Sequence, residues 1–372
     1  MLRALLYRTK VTSIDQLVYR LTHGRWRRPS REARPGYTLL LTVPPDLPVF
    51  LKLALHVCRR QDLTGLVETL VIPDRATPGF AAVFSEAATG WEGGPIRLVN
   101  LGGLDGAIRS RTTNTSVIHW LQIINACAAA TSTHALLHDV DLFLFDPNFF
   151  RNRYETCLAR DLRCLGVTIR EDMALGVDAA LGRTSSDRVV FPELSHLLST
   201  WELCFDVRWA RSFRPSQLRP QYVRLNGRLK HLDTLHLAQL RAGPARVACL
   251  PAAGSLLHFG GVITEYRFYQ WAEGRPFLDR RFRLLLIRLL IDAFDPERAG
   301  YDLPDAAELA QGLGDPARKV HYGADDSARE NYAALRGALE RLLASDLIDE
   351  PKAAAIRAGL NPFDRFYAIH PA

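Results

Sequence analysis

Thr133–Pro147 reads THALLHDVDLFLFDP. Ala135, Leu136 and Leu137 run into His138 as a short apolar stretch, the pattern of a buried strand. Asp139 and Asp141 follow, one residue apart, and a second apolar run from Leu142 to Phe145 is closed by Asp146-Pro147. Ionised carboxylates at the end of a buried strand are costly unless something positive meets them. The spacing suits a divalent cation held between protein oxygens and phosphate oxygens. D-x-D occurs only here in the chain, and directly after an apolar strand. The stretch therefore predicts a metal-assisted nucleotide site.

Outward from it, short apolar runs alternate with helical patterns. TLLLTV at Thr38–Val43, TLVI at Thr69–Ile72 and Ile96–Asn100 read as strands. Leu47–Arg60 and Ser116–Ala130 read as helices, the second with Val117, Leu121, Ile124 and Ala128 on one face. This β-α-β repetition predicts an α/β fold, a mostly parallel sheet with helices on both sides. Ligands bind such sheets at the carboxyl ends of the strands, where Asp74, Asp139 and Asp141 all fall. Downstream, Arg163–Thr168, Val247–Leu250 and Ser255–Phe259 read as strands and Asp233–Arg241 as a helix. Gly176–Arg188 reads as a polar loop that closes over a ligand, as a plain surface loop or as a disordered stretch. Trp201–Trp209 concentrates aromatics and acids.

After about residue 276 the chain turns helical, with Arg280–Phe294, Ser327–Leu343 and Pro351–Leu360, and ends in a loop over Asn361–Ala372. The strongly apolar Arg280–Phe294 reads as a buried helix rather than a membrane-docking one. Three regions are expected: an N-terminal arm (1–36), a catalytic α/β unit (37–275) and a helical C-terminal region (276–372). The arm spaces Leu2, Leu5, Leu6, Ile14, Leu17, Val18 and Leu21 helically, then clusters Arg25, Arg27, Arg28, Arg31 and Arg34. It reads either as a helix packed on the main body or as a basic amphipathic arm on an anionic membrane surface.

A hydrophobic content of 48% and charged content of 23% describe an ordinary globular protein with a large core. No apolar run reaches the ~18 residues of a transmembrane helix, and the N-terminus lacks the apolar centre of a signal peptide. The six cysteines form no C-x-x-C pair, which argues against a zinc site or disulfide framework and for free thiols in a reducing cytoplasm. The expected location is cytoplasmic, or peripheral at the inner membrane surface. A net charge of +7 fits an anionic ligand, membrane surface or nucleic acid without choosing among them. The P-loop, the dinucleotide fingerprint and the G-x-S-x-G elbow are all missing.

LLHDVDLFLFDP resembles the D-x-D strand of nucleotide-sugar glycosyltransferases with the GT-A fold, especially the family 2-like bacterial enzymes, and the likeness spans roughly Tyr37 to Gln270. The strand Leu39–Val43, which contains Thr42, is similar to the opening of the nucleotide-binding unit. Asp74 stands where the fold places an acid on the nucleobase, and Thr113–Trp120, with Asn114, resembles the segment leading into the helix before the D-x-D strand. HFGG resembles the region that supplies a histidine to the metal. The resemblance implies a divalent ion, Mn2+ or Mg2+, held by Asp139, Asp141 and His258. It implies a nucleotide-sugar site at Thr42, Asp74, Asn114 and Asp139, and Asp233 as the catalytic base, with Glu202 and Asp206 in reserve. Two departures stand out: the second strand ends in IPDRAT rather than an acid-acid-Gly-Ser turn, and LKHLDTLHL carries no acid-acid pair. Asn114 also reads as a helix cap, Asp233 as an N-cap, and Trp201 and Trp209 as core or as sugar-stacking platforms. His138 reads as structural.

The implied reaction moves a sugar from a nucleotide diphosphate sugar to a hydroxyl acceptor, with inversion. The acceptor is a glycan, a lipid-linked glycan, a small molecule or a protein, and peripheral membrane contact is an added expectation. A nucleotidyltransferase is the nearest alternative, although its Gly-rich opening loop with a lysine is absent at Val43-Pro44-Pro45. A non-catalytic basic protein on a membrane or nucleic acid is the alternative from another class. Trp26 alone sits among arginines, so no nucleic-acid partner is expected.

Overall fold

The computed structural model describes residue 26 and residues 33–75, 77–112, 114–168, 196–250, 254–271, 281–297 and 300–368. Most of the basic arm, and the whole of Gly176–Arg188, lie outside the described residues, as does the expected boundary near residue 275. In chain order the elements are β1 (Arg34–Val43), α1 (Val49–Cys58), β2 (Leu66–Pro73), α2 (Phe80–Ala87), β3 (Ile96–Leu98), α3 (Gly103–Arg109), α4 (Thr115–Ala129), β4 (Ser132–Asp139) and β5 (Leu142–Leu144). There follow α5 (Phe149–Ala159), β6 (Cys164–Thr168), β7 (Leu198–Asp206), α6 (Val207–Ser212), β8 (Gln221–Leu225), β9 (Arg228–Leu232), α7 (His236–Ala242), β10 (Val247–Cys249) and β11 (Leu256–His258). The C-terminal helices are α8 (Val262–Trp271), α9 (Arg281–Phe294), α10 (Ala306–Ala310), α11 (Asp326–Leu343) and α12 (Glu350–Tyr367).

The main sheet has seven strands in the order β10-β6-β7-β4-β1-β2-β3. Its pairs are parallel except those of β7, which runs antiparallel to both β4 and β6. The mostly parallel α/β sheet expected from the sequence is thus the one observed. Residues alternate across it, as the pleat requires. Leu39, Leu41 and Val43 pack into one core with α1, α9 and α12, while Leu40, Ala135 and Leu137 pack into the other with α4. Trp26 is held in the second core, its indole Nε1 donating to the Phe213 carbonyl (2.7 Å). Among the described residues, no helix is long and apolar enough to cross a membrane.

Two elements differ from expectation. The helix after β9 begins at His236, not Asp233, because the Asp233 carboxylate accepts from the next amide, Thr234 N (2.7 Å), and Leu235 takes a left-handed φ of 64°. Such a local side-chain bond competes with helical geometry. At the C-terminus the expected loop from Asn361 is helical to Tyr367 and runs through Pro362. An interior proline costs about 3 kcal/mol, and burial of Phe363, Asp364 and Tyr367 offsets it. Asp364 accepts from the Tyr332 hydroxyl at 2.5 Å, and the Tyr332 and Tyr367 rings stack at 5.0 Å.

Gly359 marks where α12 touches α9: a Cβ there would lie 2.3 Å from Leu289 Cδ2. Gly359→Val is expected to lower stability by ~1–3 kcal/mol, read from the urea midpoint. Gly337→Ala, on α11 with nothing within 4 Å, should raise it by ~0.5–1 kcal/mol.

Candidate active site

Asp139 is the last residue of β4 and sits in register with Thr42 on β1, whose hydroxyl donates to Asp139 Oδ1 at 3.5 Å. The Val140 amide donates to the same oxygen (3.2 Å), and the buried Val140 side chain anchors the turn in the core. The chain then leaves the main sheet as β5, which pairs antiparallel with β11, placing His258 opposite Leu142. That pairing carries His258 Nε2 to 3.4 Å from Asp141 Oδ1, and the Phe259 amide donates to the Asp141 carbonyl (3.3 Å). Trp201 on β7 stacks on the His258 imidazole, centroids 4.3 Å apart, and so fixes the ring plane.

Asp139, Asp141 and His258 each present a ligand atom, all within 4.8 Å of one another. Asp141 Oδ1 is buried and accepts no hydrogen bond, and an orphaned buried carboxylate oxygen is costly. Two carboxylate oxygens and an imidazole nitrogen fit Mn2+ or Mg2+. Burial, and after it the neighbouring Asp141 charge, push the Asp139 carboxyl up to about 7. A divalent cation at this point would remove that penalty.

The cleft in front of the trio has a volume of about 170 Å3. Thr115, Ile118, His119 and Gln122 line it from one face of α4, Asp233 from the turn after β9, and Gly261, Thr264 and Arg267 from the far side. Gln122 ties α4 to β2 by donating to the Ile72 carbonyl (2.6 Å). Asp233 is held from both sides of its peptide: its carboxylate accepts from Thr234 N, and its own amide donates to His236 Nδ1 (3.0 Å). His236 Nε2 lies 3.0 Å from the Leu198 carbonyl, so that nitrogen carries the proton and the ring is neutral. Burial likewise pulls its pKa down.

Asp74 also reaches the cleft, with its carboxylate already engaged. Oδ2 accepts from Arg109 Nη2 (2.9 Å) and from Arg267, and Arg75 lies 3.5 Å from Oδ1. Asp74 therefore acts on the cleft through the arginines it orients. Arg109 and Arg267 are both buried. Arg283 on α9, also buried, donates to the Gly260 carbonyl (2.7 Å), and burial lowers its pKa to about 10 while Asp141 opposes that shift. Gly260 and Gly261 both have positive φ (53° and 71°), so the HFGG turn needs glycine.

Asn114 is exposed and caps α4, its Oδ1 accepting from Val117 N (3.3 Å), and it is not among the residues lining the cleft. The reserve acids lie elsewhere. Glu202 is buried against Arg153 (3.1 Å), and Asp206 caps α6 and pairs with Arg163. His138 points to the opposite side of β4, edge-on to Phe150, and burial drives its pKa to about 3, which keeps it neutral. His119 and Arg267 are cleft residues that motif reading missed, and it also missed Arg283, buried behind the Gly260-Gly261 turn. His119 Nε2 is buried without a hydrogen bond. Its only sequence signal is its spacing with Thr115 and Gln122 on a helix turn.

No protein-family model matches the chain, and no curated protein does. Similar solved structures include a mannosyltransferase from Pyrobaculum calidifontis in complex with GDP-Man and Mn2+ (14% identity, 95% of this chain and 90% of that one, TM-score 0.42). Glucosyl-3-phosphoglycerate synthase from Mycobacterium tuberculosis with Mn2+ and UDP-glucose is another (14%, 73% and 80%, TM-score 0.38). A third is the 4-diphosphocytidyl-2C-methyl-D-erythritol synthase from Anaerococcus prevotii (11%, 48% and 74%, TM-score 0.31). The chemistry of the cleft is read from its own residues.

Because the folded Asp139 binds a proton that the unfolded chain releases, its own contribution to the stability of the metal-free protein should be fully present below about pH 4 and be lost as pH rises through about 7. Thermal denaturation against pH checks this. Mn2+ should raise the melting temperature most at the alkaline end, and Asp139→Asn should remove both the slope and the Mn2+ response.

Proposed function

We propose that the protein is a metal-dependent glycosyltransferase that moves a sugar from a nucleotide diphosphate sugar to a hydroxyl acceptor. The observation that carries this reading is the convergence of Asp139, Asp141 and His258 around an unsatisfied carboxylate oxygen, beside a cleft that Asp139, Asp141 and Asp233 line together. Asp139, Asp141 and His258 would hold Mn2+ or Mg2+, which when bound supplies positive charge and Lewis acidity toward the two phosphates. Trp201 keeps the His258 ring in the plane that aims Nε2 at the site. Arg267, oriented by Asp74, brings a fixed cationic donor to the same cleft, where a departing diphosphate gathers charge, and Arg109 braces Asp74 from behind.

Asp233 takes the proton of the acceptor hydroxyl. Its carboxylate is steadied by Thr234 N–H while its other oxygen is left for the substrate. Attack by that hydroxyl on the anomeric carbon, in one displacement, inverts the configuration. Thr42 holds Asp139 and borders the nucleotide, and Thr115 and Ser116 reach the cleft beside the Asn114 cap. Nucleotidyl transfer fits less well. The turn after β1 is Val43-Pro44-Pro45, and prolines offer no amide hydrogens to cradle a triphosphate.

Calorimetry with UDP, GDP, dTDP, CDP and ADP, with and without Mn2+, tests the donor half. One diphosphate should bind only with metal, and Asp141→Ala should abolish that binding. Failure of all five sinks the reading. Asp233→Asn should keep diphosphate binding and lower kcat by about 10²–10⁴-fold, whereas full activity in that variant would dismiss it as the base.

A further inference from the structure

Between Asp206 and Asp233 the chain carries no acid at all, yet residues 207–232 hold six arginines and a lysine. The centre of that stretch is the β8–β9 hairpin, a two-stranded sheet of its own, separate from the main sheet. Asn226 and Gly227 form its turn with φ of 48° and 74°, the two-residue geometry that locks hairpin register. With the register fixed, the strand pleat sorts the side chains onto two faces. Val223 and Leu232 face inward, onto Leu197, Leu237 and Leu240. Tyr222, Arg224, Leu229 and His231 face outward.

The outward face is unusual for an exposed surface. Tyr222 is 60% exposed and Leu229 55%, two of the five large apolar side chains exposed among the described residues. Tyr222 pairs across the ladder with His231, ring centroids 5.1 Å apart, and Arg224 pairs with Leu229. Tyr222 and Leu229 are therefore diagonal neighbours, close enough to form one apolar tip, with Arg224 beside it. Two side chains are far too little for a stable protein interface, which needs roughly 1,000 Å2. A soluble polyanion would use Arg224 and have no use for Leu229. A bilayer interface uses all three: tyrosine at headgroup depth, leucine into the acyl boundary, and arginine against phosphate.

We propose that the outward face of the β8–β9 hairpin docks the protein on an anionic phospholipid surface. Docking does not depend on the transferase reading, but it adds to it. β9 ends at Leu232, and the next residue is Asp233 in the cleft. On the transferase reading, the docked hairpin is joined directly to the residue assigned as base, which favours an acceptor hydroxyl carried on a lipid headgroup.

The test is flotation of the full chain with phosphatidylcholine vesicles, with and without phosphatidylglycerol, and binding to dextran sulfate in parallel. Wild type should float with the anionic vesicles. Arg224→Glu, and separately Tyr222→Ser with Leu229→Ser, should each weaken flotation at least about fivefold. Both variants should keep the wild-type melting temperature and its Mn2+ response, since these side chains are exposed. Absence of flotation overturns the proposal, and so does unchanged flotation of the variants, which would move any membrane contact elsewhere. If only Arg224→Glu has an effect, and it weakens dextran sulfate equally, the face binds polyanions and the membrane assignment is wrong. Loss of diphosphate binding in calorimetry would remove the transferase reading and leave this result standing.

Discussion

The cleft depends on a three-residue ladder. Leu256–His258 pairs antiparallel with Leu142–Leu144, and this pairing brings the histidine to the acids. Without it, Asp139 and Asp141 would be two carboxylates at the end of a parallel strand with no third group opposite. The ladder is buried on all sides, so its position is set by packing as well as by hydrogen bonds. Everything beyond it follows: the HFGG turn, α8 with Arg267, and α9 with Arg283 are placed by where β11 ends.

Charge balance around the cleft is distributed across the chain. The acids come from the ends of β2, β4 and β9, and the cations from α3, α8 and α9. Buried charges are tolerable only in such company, and removing one partner leaves the other uncompensated. Asp74 illustrates the consequence. It stands at the strand end where a ligand-binding acid was expected, yet its charge is spent on holding two arginines. At that end of the cleft an acid and its cation, Asp74 and Arg267, line the surface together.

The parallel sheet and the D-x-D strand were legible because both are local. Apolar runs such as TLLLTV mark strands covered on two faces, and Asp139 and Asp141 interrupt the only such run that carries paired acids. His258 was legible only through the likeness of HFGG. His119, Arg267 and Arg283 were not, because their roles come from helix orientation and long-range packing, which leave no spacing to read. β7 escaped for a different reason. WELCFD is buried on both faces and antiparallel, so neither alternation nor a βαβ rhythm marks it. The start of α7 was misplaced because Asp233 looks like a helix cap, and its carboxylate bonds the very next amide instead. The end of α12 was misplaced because Pro362 signals a break that aromatic packing overrides.

His258 lies 117 residues downstream of Asp141, and the intervening chain supplies β6, β7, β10 and the hairpin. Closing a loop of that length carries an entropic cost that only completed packing repays. The three side chains therefore come together only when that packing is complete, and an unfinished chain offers two neighbouring carboxylates at most. A divalent ion held by all three would therefore stabilise the native state and do little for intermediates. In a cell, scarcity of that ion would act on the standing population of folded protein as well as on turnover.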